Sequence, residues 1–82
     1  MYIYKKCKNK YLLIDTINSK DEFIIEEYLI KLIRQEKHLK EVYNIQSKYT
    51  GLYTIYYIGG DYVLLVSEYV LNEDGTIKQS KT

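Results

Sequence analysis

The sequence has no tryptophan and no proline, and only one cysteine (Cys7), one histidine (His38) and one phenylalanine (Phe23). Alanine is missing altogether, and Arg34 is the sole arginine. A single cysteine cannot close an intrachain disulfide or build an all-cysteine metal site, so a reducing compartment is expected. Cys7 and His38 together fall short of the nitrogen and sulfur ligands that zinc takes. No metal ligand and no cofactor-binding residue is assigned. One histidine without a glycine-rich nucleophile elbow gives no nucleophile, base and orienting acid within mutual reach. His38 reads instead as an exposed imidazole, favoured at a helix C-terminus.

The carboxylates fare no better. Glu26, Glu27, Asp61, Glu68, Glu73 and Asp74 fall on one helix face and in turns, with nothing to converge two of them on a cleft. The turn from Asn72 to Gly75 is too short for an EF-hand loop. Gly59-Gly60 lacks the Lys-Ser/Thr of a phosphate loop. No catalytic residue is assigned, and the protein is expected not to be an enzyme.

Charge of one sign is also lacking: 12 basic and 11 acidic side chains leave a net +1. No whole-molecule field draws the protein to nucleic acid or to an anionic membrane. The start, from Met1 to Lys6, places its charge after a very short apolar run, unlike a signal peptide. No segment approaches the roughly 20 apolar residues of a membrane span. A soluble, cytoplasmic protein without a membrane partner is expected.

What is present is tyrosine, 11 residues of it, in a chain of 82 residues that is 46% hydrophobic and 28% charged. These are values of a folded chain, and the length fits one domain, 1–82. A domain of this size buries only about 60% of the surface its unfolded chain exposes, so every element must share one core. The wealth of Ile, Lys, Asn and Tyr against missing Ala and Pro fits AT-biased coding.

Tyr2 to Ile17 reads as a β-hairpin of two β-favouring runs, with Asn9 suited to the positive φ of a tight turn. Ser19 and Glu22 have capping-box spacing, so a helix is expected from about 20 to 39. Its acids lie early and its bases late, which complements the helix dipole. At 100° per residue, Ile24, Ile25, Tyr28, Leu29, Leu32, Ile33 and Leu39 form the core face. Phe23 and Ile30 lie on the other side among charged residues.

From Val42 on, strands are expected. Residues 42–46 are read as a strand in preference to a helix extension. Leu52–Ile58 and Tyr62–Leu71 form a hairpin about Gly59-Gly60. A turn from Asn72 to Gly75 then leads into a short strand, Thr76–Gln79. The result is an α+β fold: an antiparallel sheet of four to six strands with one helix on one face, in the order ββαβββ or ββαββββ.

A Gly-Gly turn pairs Tyr57 with Tyr62, Ile55 with Leu64 and Tyr53 with Val66 on one face. Leu52, Thr54, Tyr56, Ile58, Val63, Leu65 and Ser67 take the other. Neither face is plainly polar, and one helix covers only one of them. Tyrosines either line the second face with their hydroxyls in water, or make it a contact surface for a protein partner or a second copy of the chain. Tyr53, Tyr57 and Tyr62, or Tyr56 and Tyr69 on the alternate face, are the candidates, together with Phe23 and Ile30 on the helix. A second reading is nucleic-acid binding by the N-terminal hairpin, where Lys5, Lys6, Lys8 and Lys10 are interleaved with Tyr4 and Tyr11. In size, composition and tyrosine content the chain resembles phage and mobile-element inhibitors of host enzymes. That resemblance implies an inhibitor or adaptor acting on a host protein in the host cytoplasm.

Overall fold

The structure, a computed structural model, describes residues 1–35, 45–59 and 62–78. Its elements run β1 (Tyr2–Cys7), β2 (Lys10–Thr16), α1 (Glu22–Arg34), β3 (Gln46–Tyr49), β4 (Tyr53–Gly59) and β5 (Tyr62–Ser67). The order is ββαβββ. All five strands pair antiparallel in a single sheet, β2-β1-β5-β4-β3. The first strand thus sits beside the last at the centre of the sheet. Among the described residues no helix is long and apolar enough to cross a membrane.

The N-terminal hairpin forms as its β-favouring runs require, and Cys7 pairs with Lys10 across a two-residue turn. The positive φ falls on Lys8, at 58°, and not on Asn9. A register shift opposite Ile3 and Tyr4 makes Ile14 an extra residue on β2. Such bulges bend and twist a strand locally.

The helix starts later than the capping-box spacing predicts. Asp21, not Ser19, is the N-cap. Its Oδ1 accepts the N–H groups of Phe23 at 2.9 Å and Ile24 at 3.4 Å, while Ser19 Oγ accepts the Asp21 N–H at 3.1 Å. An anionic cap at the positive end of the helix outcompetes a hydroxyl two residues earlier. Replacing Asp21 with Ala is expected to cost about 1 kcal/mol of stability in urea denaturation, because two first-turn donors lose their acceptor. The last described helical residue is Arg34, capped by Gln35. His38, Leu39 and the expected helix end lie outside the described residues.

Ile25, Leu29 and Ile33 point into the core, with Tyr28 and Leu32 half-buried beside them. They meet Ile3, Tyr56, Ile58, Tyr62, Leu64 and Val66 on the sheet. Ile24 departs from its expected place: it is half exposed, since the buried stripe centres on Leu29 and leaves Ile24 at its margin.

The main hairpin carries the largest correction. Gly59 pairs with Tyr62 and Tyr57 with Val63, so Ile58 is an extra residue on β4. Below the bulge Tyr56 faces Leu64, Ile55 faces Leu65 and Thr54 faces Val66. The β5 residues have therefore exchanged faces relative to a regular Gly-Gly turn, and Tyr57 does not share a face with Tyr62. The bulge places Tyr56, Ile58 and Tyr62, all at most 9% exposed, together under the helix. A regular register would have buried Tyr57 in place of Ile58.

Strand β3 begins at Gln46, the last residue of the expected 42–46 strand, and residues 42–44 lie outside the described set. Strand β5 stops at Ser67, whose Oγ accepts the Tyr69 N–H at 2.9 Å and turns the chain away. Beyond it, residues 76–78 of the expected strand 76–79 hold an isolated bridge, between Leu71 and Ile77, and residue 79 lies outside the described set. The intervening residues are taken up in a turn bonded by its own side chains, with Asp74 Oδ1 accepting both the N–H and the hydroxyl of Thr76.

Candidate protein-binding surface

The sheet face away from the helix carries Tyr2, Tyr4 and Lys6 on β1, Leu65 and Ser67 on β5, and Tyr53, Ile55 and Tyr57 on β4. Residues 68–78 form an arm that folds back over part of it. Leu71, 7% exposed, closes a second small core with Tyr4 and Leu65. Tyr4 Oη accepts the Leu71 N–H at 2.8 Å, a buried bond that satisfies a donor with no strand partner of its own. The arm also reaches the sheet edge, where the Tyr11 N–H donates to the Glu73 carbonyl at 2.8 Å. Gly75 has a φ of 90° and lies flat on the Tyr11 ring; a Cβ there would come within 2.9 Å of Tyr11 Cε2. Both conditions call for glycine at this one position.

The arm covers the β1 and β2 side of the face and leaves the β4 side open. Tyr57 remains 45% exposed and Tyr69, just beyond β5, 46% exposed. Tyr53 and Ile55 are half-buried beside Leu65. The register sets exposed Gln46 opposite Tyr57 and exposed Lys48 opposite Ile55. The open patch is thus a strip of tyrosine and isoleucine flanked by polar β3 side chains.

Of the residues singled out in the sequence, Tyr53 and Tyr57 lie on this surface, while Tyr69 is exposed at the start of the arm, just beyond β5. Tyr62 and Tyr56 do not: they are buried on the helix face by the β4 bulge. Phe23 is 80% exposed on the outer side of the helix, and no described segment wraps over it. Ile30 is half-buried and lines an open groove with Ile17, Ile24 and Tyr28. In that groove the Tyr28 hydroxyl donates to Asp15 Oδ2. That bond, then burial and the Asp15 charge, hold the phenol above the usual tyrosine range.

The lysine-tyrosine hairpin is divided by the structure. The Tyr4 ring is buried and the Tyr11 ring lies under Gly75, so neither is open for a base to stack on. Lys5 lies on the helix face with Nζ 4.7 Å from the Tyr62 ring centre, while Lys6 projects from the opposite face. Lys8 and Lys10 are exposed at the turn.

The arm is also tied down by an ion pair. Lys20 Nζ sits 2.9 Å from Glu68 Oε1 at the surface. The hydrogen bond and charge of Lys20 lower the Glu68 pKa, and Glu68 raises that of Lys20 in return. Surface pairs of this kind contribute little to stability. Among the described residues no three His, Cys, Asp or Glu side chains gather in one place.

A β-bulge and an arm of no regular structure decide which tyrosines stay outside, and neither could be read from a pairing rule. The turn from Asn72 to Gly75 was the part of the arm read in the sequence, and Gly75 takes a positive φ there. Compared with known proteins, the chain matches no family model, no curated protein and no solved structure.

Proposed function

We propose that the protein is a non-enzymatic binding module that engages a protein partner through the open β4 side of its sheet, with Tyr57, Tyr69, Tyr53 and Ile55 as the contact. The observation that carries this reading is the unequal cover of the second face. The arm seals one half down to Tyr4 and Leu65 and stops short of the other, leaving Tyr57 on β4 nearly half exposed. Tyrosine offers large, rigid contact area and a hydroxyl at small entropic cost, which is why it recurs at interface hot spots. An inhibitor or adaptor needs no more than such a face to occupy a partner's surface.

The test is capture of partners from a lysate of the cells that express the protein, with the wild-type chain and with a Tyr57→Ala, Tyr69→Ala double variant side by side. The expected result is a partner retained by the wild type and bound about tenfold or more weakly by the variant. Light scattering after size-exclusion chromatography shows whether the partner is a second copy. A partner held equally by both proteins would place the contact elsewhere.

A further inference from the structure

The open strip around Tyr57 carries a charge pattern that bears on its partner. Tyr57 sits in a row of side chains that crosses the sheet. Val63 of β5 stands opposite it on one side and Gln46 of β3 on the other. Continuing the β1–β5 register by one residue sets Lys6 level with Val63, at the far end of the row. Lys48 lies on the same face, opposite Ile55 and one row away. Both lysines are exposed, and Tyr57 and half-buried Val63 lie between them.

Lys6 and Lys48 are the only charges that the five strands place on this face among the described residues. Neither has an ion-pair partner there. The acids of the arm are engaged or lie across β2: Glu68 holds Lys20, Asp74 holds Thr76, and Glu73 sits against Tyr11 at the β2 edge. Glu22, Glu26 and Glu27 belong to α1, on the other side of the sheet. An apolar strip with an unpaired lysine at each end is complementary to a ligand with an apolar centre and a carboxylate at each end.

The spacing narrows the ligand further. With strands about 4.8 Å apart, three strand spacings and one step along a strand put the two lysines roughly 16 Å apart. In an extended segment, residues four apart point the same way and are about 13 Å apart. The flexible lysine stems span the difference. The residue midway between them also points the same way.

We propose that the partner meets this face with an acidic extended segment of the pattern acid–x–apolar–x–acid, its carboxylates on Lys6 and Lys48 and its apolar side chain over Val63 and Tyr57. The proposal rests on the reading of the β4 side as the contact and names the chemistry of what binds there. Single-stranded nucleic acid also presents spaced negative charges, but it binds by stacking on successive aromatic platforms. Here one exposed ring has aliphatic neighbours, Val63 and Ile55, and the whole chain carries only +1.

Titration of the ¹⁵N-labelled full chain, followed by amide shifts, tests this with three probes: a capped peptide Glu-Thr-Leu-Thr-Glu, the same peptide with Gln for both Glu, and a short oligothymidylate. The Glu peptide is expected to move Lys6, Gln46, Lys48, Tyr57 and Val63 saturably. It should bind roughly three- to tenfold more tightly than the Gln peptide, the worth of two exposed ion pairs. A Lys6→Gln, Lys48→Gln double variant, altered only at exposed positions, should bind both peptides alike. Tyr57→Ala should lose both. Equal binding of the two peptides by the wild type, with both lost in Tyr57→Ala, would overturn the acidic segment and leave the binding face standing. Peptide shifts indifferent to Tyr57→Ala would overturn both. No saturable shifts with the Glu peptide, or tighter binding of the oligothymidylate, would overturn the acidic segment alone.

Discussion

A chain ended at Ser67 is expected to lose most of its stability and to self-associate. The arm beyond Ser67 carries Leu71, which is 7% exposed and fills the second core against Tyr4 and Leu65. Cutting such a side chain back to Ala alone costs about 2–5 kcal/mol. At about 0.05–0.15 kcal/mol per residue, a domain of this length has roughly 4–12 kcal/mol in all. Truncation removes more than Leu71. It also uncovers the Tyr4 hydroxyl, exposes Leu65 and strips the acceptor from the Tyr11 N–H.

That last loss matters at the sheet edge. Strand β2 is an edge strand whose Leu12, Leu13 and Ile14 are 41%, 53% and 43% exposed. Exposed apolar edges recruit further strands. Here three devices blunt the edge: the Glu73 carbonyl takes the Tyr11 N–H, the bulge at Ile14 breaks the ladder, and Asp15 Oδ1 takes the Thr16 N–H at 2.7 Å. The truncated chain keeps two of the three. Urea denaturation and light scattering measure both effects. Leu71→Ala, which leaves the Glu73 contact formed, should lose about 3 kcal/mol without oligomerising. A truncated chain that stays monomeric with an unchanged midpoint would show the arm to be an accessory.

The parts of the fold that rest on local chemistry were legible in the sequence. The apolar stripe of α1 at Ile25, Leu29 and Ile33 follows from helical spacing alone. The N-terminal hairpin follows from two β-favouring runs and a polar turn. What was not legible came from competition between equally qualified groups. Ser19 and Asp21 both qualify as caps, and the anionic side chain at the positive end of the helix wins over the hydroxyl. Gly59-Gly60 specifies a turn but not its register, because Tyr57 and Ile58 are both good core residues and the helix has room for one. The surface left open at Tyr57 is a consequence of that choice.

The helix phase yields the second large effect and a control for the binding face. Leu29 is fully buried against the sheet core, so Leu29→Ala is expected to cost about 3 kcal/mol or more. Phe23 is the larger side chain, and on hydrophobicity alone its loss would be the worse. At 80% exposure it leaves little apolar contact behind, so Phe23→Ala should fall within about 0.5 kcal/mol of wild type. Alanine's better helix propensity in the first turn works in the same direction. Midpoints of thermal or urea unfolding for the two variants decide the matter. If Phe23→Ala were the more damaging, a segment would have to cover Phe23 and the helix phase would be wrong. If the expected order holds, Phe23 can be removed without disturbing the fold. Any loss of partner binding in Phe23→Ala would then report a contact made by the helix, separate from the tyrosines of β4.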